Sequence, residues 1–137
     1  MAIQAYSLSK EGYKQLSPNF RVREFRCRDG SDPIFVDDAL VSILQKIREH
    51  FGKALTITSG YRTPGHNKAC GGAAYSQHLY GRAADFKIAG IAPDVVAAYA
   101  ETLLPNRGGI GVYPPKAGRP NGWVHIDTRA SKSRWRG

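Results

Sequence analysis

The apolar positions between residues 36 and 51 recur at helical spacing. Val36, Leu40, Ile43, Leu44, Ile47 and Phe51 fall on one face of a 3.6-residue repeat, which predicts a helix packed on a core. Asp37 and Asp38 sit in its first turn and Arg48 and His50 near its end, the charge order that a helix dipole favours. Gly52 ends it, and residues 54–58 read as a strand. Residues 66–80 are polar and glycine-rich, a loop or short helix at most. A second strand is predicted at 83–88. Pro93 opens a second helix, where its missing N–H costs nothing. That helix runs through Val95, Val96, Tyr99 and Leu103 and stops before Pro105. A third strand covers 109–113, a proline- and glycine-rich loop 114–122, and a fourth strand 123–128. Residues 1–34 read as irregular or short-stranded, ending in the turn-like Asp29-Gly30-Ser31-Asp32-Pro33. The order α-β-β-α-β-β has no regular βαβ alternation. It predicts an α+β fold, a mainly antiparallel sheet of about four strands flanked by two main helices.

A chain of 137 residues predicts one domain, over 1–137. No apolar run approaches the roughly 20 residues of a membrane span. The N-terminus has no basic region and no long apolar run, so no signal peptide is expected. Cys27 and Cys70 are too few for a disulfide scaffold and belong to no CxxC motif. One bridge between them is possible; two free, buried thiols outside any metal site are the plainer reading. The net charge of +9 biases the protein toward polyanions such as nucleic acid, anionic cell-wall polymers or a phospholipid surface. Basic residues cluster at Arg21, Arg23, Arg26 and Arg28 and again at Arg129, Lys132, Arg134 and Arg136. No nucleic-acid-binding motif interleaves them, and the plain alternative is a solvated basic surface. In the tail Arg134-Trp135-Arg136, the tryptophan is expected to pack.

The strongest chemical signal is the run Ser76-Gln77-His78-Leu79-Tyr80-Gly81-Arg82-Ala83-Ala84-Asp85, followed by Trp123-Val124-His125-Ile126-Asp127. Two imidazoles and a carboxylate can hold zinc with a fourth position left open, the arrangement of a catalytic rather than a structural zinc. Gly81 permits a sharp turn between His78 and Asp85. On the last strand Val124 and Ile126 alternate with His125 and Asp127. The apolar pair is expected in the core and the polar pair on a cleft.

These motifs, with the upstream Ser59-Gly60-Tyr61-Arg62 and the opening Leu16-Ser17-Pro18-Asn19-Phe20-Arg21-Val22-Arg23-Glu24-Phe25, resemble the M15 zinc peptidases. These are D-alanyl-D-alanine carboxypeptidases and murein endopeptidases that share their fold with the hedgehog signalling domain. The likeness is greatest to short peptidoglycan endopeptidases and phage endolysin domains. It covers about 16–128, leaving 1–15 and 129–137 as terminal extensions. The resemblance implies a Zn²⁺ site of His78, Asp85 and His125. It implies that Arg62 stabilises an oxyanion or clamps a substrate carboxylate, and that Ser76 binds the substrate backbone. The family places a general base three residues before the last histidine, here Gly122, or a histidine two before it, here Trp123. Neither can take a proton. Asp127 is then either the base or the partner of a ligand's second N–H, and His66 is a weaker candidate for the base.

The reading that follows is zinc-dependent hydrolysis of a peptide bond in peptidoglycan stem peptides or cross-links. The protein would be a monomer acting at the cell wall, made in the cytoplasm and released by phage-type lysis. The alternatives are a non-catalytic, zinc-stabilised wall-binding module and a basic nucleic-acid binder, the latter disfavoured by the missing motif. The loops 64–76 and 114–122 are expected to choose the bond.

Overall fold

The computed structural model describes residues 2–137. Its centre is a five-stranded sheet in the order β5-β6-β8-β7-β9, made of β5 (Leu55–Ser59), β6 (Ala83–Ile88), β8 (Trp123–Asp127), β7 (Gly109–Tyr113) and β9 (Ser133–Arg136). All neighbours are antiparallel except β7 and β9, which run parallel. The four predicted strands are all present. The expected four-stranded sheet is corrected to a mixed, five-stranded one by the C-terminal tail. On β9, Arg134 and Arg136 reach toward the helix α4 (Pro93–Leu103), bonding Glu101 and Asp94 at 2.6 Å each, while Trp135 turns to the opposite face.

The core lies between one face of this sheet and two helices. Ala84, Phe86 and Ile88 of β6, Val124 and Ile126 of β8 and Ile110 of β7 meet Leu40, Ile43, Leu44 and Ile47 of α2 (Asp38–Phe51) and Val96, Ala97 and Ala100 of α4. The first helix begins two residues later than Val36, which belongs to β4 (Pro33–Asp37). Asp37 explains the boundary: its side chain accepts from the Ala39 amide at 3.0 Å and caps the helix. Gly52, at φ 63°, ends α2 in the left-handed region that favours glycine.

The N-terminal third is more ordered than its sequence pattern predicts. β1 (Ile3–Ser7) pairs antiparallel with β4. Between them lie a short helix, α1 (Leu8–Glu11), a hairpin of β2 (Gln15–Ser17) and β3 (Phe20–Arg21), and a 3-10 turn over Val22–Phe25. Residues 64–80 also hold α3 (Pro64–Ala69) and a 3-10 turn over Gln77–Tyr80. The two flanking helices are thus joined by two shorter ones. Both terminal segments are built into sheets, β1 against β4 and β9 against β7. Among the described residues, no helix is long and apolar enough to cross a membrane.

Candidate metal centre

Strand pairing brings two of the candidate ligands together. Asp85 on β6 stands opposite His125 on β8, both on the sheet face away from the core. His78 arrives from the 3-10 turn. Ser76 caps that turn through a bond from the His78 amide to its Oγ, and Gly81 closes it at φ 72°. Gly81 has no substitute: a Cβ there would stand 2.4 Å from the Phe35 carbonyl oxygen. The Gly81 carbonyl accepts from the Asp37 amide at 2.8 Å, and Asp37 accepts from the Thr128 hydroxyl at 2.6 Å. The turn carrying His78, the start of α2 and the end of β8 are therefore fixed to one another.

The Asp85 carboxylate lies 3.2 Å from His78 Nε2 and 2.9 Å from His125 Nδ1. One ligand atom from each residue falls within 4.8 Å of the others. The remaining nitrogen of each ring is engaged behind the site. His78 Nδ1 lies 2.7 Å from the Gly60 carbonyl, and His125 Nε2 lies 2.7 Å from Asp127 Oδ2. A carbonyl can only accept, so Nδ1 of His78 carries a proton, and Nε2 is the nitrogen that faces Asp85. Asp127 likewise holds the Nε2–H of His125, and Nδ1 faces Asp85. With those forward nitrogens deprotonated, two imidazoles and a carboxylate fit a divalent metal of borderline softness.

Burial alone would raise the Asp85 pKa, but hydrogen bonds from His125 and His78, with their charges, hold it below the usual carboxylate range. Asp127 behaves the same way: burial opposes, while His125 and Arg129 prevail and lower it. For His125, burial would lower the pKa, and the two carboxylates raise it.

A cleft of about 490 Å³ opens over the centre, lined by Arg62, Ser76, His78, Asp85 and His125 and walled by aromatic residues. Arg62 is locked on three sides: Nε donates to Ser59 Oγ, Nη1 to Asn67 Oδ1, and Nη2 lies 3.4 Å from Asp85. Asp127 does not face this cleft. It is 0% exposed, and Arg129 roofs it with a two-pronged ion pair at 2.8 and 2.7 Å. The expectation that His125 and Asp127 both meet the cleft holds for His125 alone. His66 also lies outside it, on α3 beside Cys70.

Sequence reasoning missed the cleft wall. Trp135 packs against the His125 ring with centroids 5.0 Å apart and donates its indole N–H to the Tyr113 hydroxyl at 2.8 Å. Tyr113 stacks on Trp123 at 4.7 Å, and the Arg119 guanidinium covers both rings. The signal for Trp135 was its place between two arginines, an alternation too short to be read as a strand. Position 122 is closed to any side chain. Gly122 has φ 59°, and a Cβ would stand 2.2 Å from the Tyr113 carbonyl oxygen.

The three side chains form a candidate metal-binding group on the open face of the sheet, with a cleft above it. A family model described as Peptidase M15 matches residues 16–127, and the chain belongs to that family. Over 88 residues it is 33% identical to the probable peptidoglycan L,D-endopeptidase MepK of Haemophilus influenzae. That alignment takes in 61% of this chain and 43% of the relative, so the chain spans less than half the relative's length.

Proposed function

We propose that the protein hydrolyses a peptide bond in peptidoglycan stem peptides or cross-links, with zinc held by His78, Asp85 and His125. The observation that carries this reading is the pair of anchored imidazoles. Gly60 and Asp127 each hold one imidazole from behind so that its other nitrogen points to Asp85. Family membership and the similarity to a peptidoglycan endopeptidase support the same reaction class and substrate. When bound, zinc supplies Lewis-acid activation of water and of the scissile carbonyl.

The protein's own groups do the rest. Arg62, held beside Asp85, offers a fixed cation to the developing oxyanion or to a stem-peptide carboxylate. Ser76 lies on the cleft floor and orients the substrate backbone. Asp127 acts as a positioning residue, since its oxygens are taken by His125, Arg129 and the Gly109 amide and are sealed from the cleft. Tyr113 stacked on Trp123, with Trp135 bonded to the Tyr113 hydroxyl, gives the substrate an aromatic wall and excludes water. The +9 charge draws the protein to an anionic cell wall, its site of action.

Mass spectrometry of muropeptides, after treating purified peptidoglycan with zinc-loaded protein, tests this. New termini are expected with the native chain and not with Asp85→Ala, and their masses name the bond. A second reading, a zinc-stabilised wall-binding module, is favoured by one fact: among the described residues, Asp85 is the only carboxylate lining the cleft. It predicts zinc and wall binding with no new termini from any wall chemotype.

A further inference from the structure

We propose that Cys27, Asp29 and His66 form a second metal site that takes zinc. The residues come from two separate segments. Cys27 and Asp29 lie on a turn closed by the Gly30 amide bonding the Cys27 carbonyl at 3.2 Å. His66 lies on α3, and Cys70 caps that helix one turn later, so the two share a face. Cys27 Sγ, a carboxylate oxygen of Asp29 and a ring nitrogen of His66 all fall within 4.8 Å of one another. Cys70 Sγ stands 3.3 Å from His66 Nε2, beside that group and outside it.

The site is held in place before any ion arrives. Thr63 donates its amide to Cys27 Sγ at 3.4 Å and its hydroxyl to Asp29 Oδ2 at 2.9 Å. Cys27 is 0% exposed, whereas Asp29 and Cys70 are open to solvent. The site thus has a rigid back and an entry path. One sulfur, one imidazole and one carboxylate suit zinc and exclude calcium or magnesium, and leave a fourth position for water. Coordination releases the Cys27 thiol proton to solvent.

The two sites share no residue, but their elements touch. Asn67 of α3 holds Arg62 Nη1 at 3.2 Å, and Thr63 follows Arg62 directly. An ion joining the 27–30 turn to α3 braces the turn that presents Arg62.

Cobalt(II) titration of metal-free protein separates this site from the first. Thiolate-to-cobalt charge transfer absorbs strongly, and His78, Asp85 and His125 offer no sulfur. The band is expected in both the native chain and Asp85→Ala, with bound metal falling from about two ions per chain to about one in that variant. It should vanish in Cys27→Ser. Because Cys27 is buried, His66→Ala and Asp29→Asn carry the same readout on the open face, with circular dichroism reporting that they are folded. A folded native chain that binds one ion and gives no thiolate band overturns the proposal.

Discussion

Trp135 lies on the bare backbone of Gly111. A Cβ at position 111 would stand 2.4 Å from indole Cε2 and Nε1, and the two residues face each other across the β7–β9 pairing. The missing side chain lets the indole descend beside His125 and reach the Tyr113 hydroxyl. Gly111→Ala should therefore lift Trp135 off the sheet. Overpacking of this kind costs about 1–3 kcal/mol, visible as a lower thermal midpoint. Loss of the tryptophan near-ultraviolet circular dichroism signal should accompany it, with weaker muropeptide cleavage at unchanged zinc affinity.

Asp127→Asn tests the positioning role. Asp127 Oδ1 accepts from the Gly109 and Arg129 amides and from Arg129 Nε; Oδ2 accepts from His125 and Arg129 Nη2. Every one of these partners is a donor facing a carboxylate. An amide puts an N–H₂ against one of those sides, so a donor meets a donor and the His125 tautomer is no longer held. Loss of such a partner typically lowers metal affinity by about 10–100-fold. Chelator competition should find zinc affinity reduced by that amount. A general base would behave differently, with kcat falling and zinc affinity unchanged.

Much of the site was legible because its information is local. His78, Gly81 and Asp85 sit within one turn and one strand, and the alternation Val124-His125-Ile126-Asp127 already separated core from site. The α2 helix was legible for the same reason, except at Val36, where a strand and a helix cap share the apolar pattern. What escaped is non-local. β9 has four residues and no hydrophobic run, and it exists because β7 offers an edge and α4 offers Glu101 and Asp94 to its arginines. Likewise, nothing adjacent to Asp127 in the chain says that Arg129 folds back over it. Cys27 belongs to no CxxC motif, and it meets Asp29 and His66 only because Thr63 ties the two segments together.

Gly122 occupies the position where the family resemblance calls for an acid, and restoring that acid should fail. A non-glycine residue at φ 59° costs roughly 1–2 kcal/mol. The 2.2 Å approach of its Cβ to the Tyr113 carbonyl adds a clash with backbone that cannot move aside cheaply. Gly122→Glu should lower the thermal midpoint and reduce cleavage, since it displaces the loop that stacks Trp123 on Tyr113. Cleavage above the native rate in Gly122→Glu would mean that the 114–122 loop rearranges to admit a base.

The metal-free protein should be most stable on the acid side of neutrality, because its shifted groups work in opposite directions. Asp127, Asp32 and Glu101 have depressed folded-state pKa values, held down by His125 and Arg129, by Ser7 and Ser9, and by Arg134 respectively. Their contribution is present above the ordinary carboxylate value of about 4 and is lost as pH falls through the lower folded values. His125 is raised, so its contribution is fully present below the ordinary value of about 6.5 and is lost as pH climbs through the folded one. Zinc reverses that alkaline limb, since it needs the deprotonated ring and displaces the proton. Thermal midpoints measured in chelator should therefore fall on both sides of a maximum, whereas zinc-loaded protein should go on gaining stability as pH rises through neutrality. In Asp127→Asn the chelator profile should flatten on the alkaline side, because His125 has lost one of the two carboxylates that raise it. An alkaline limb that keeps its full slope in that variant would assign the shift to Asp85 alone.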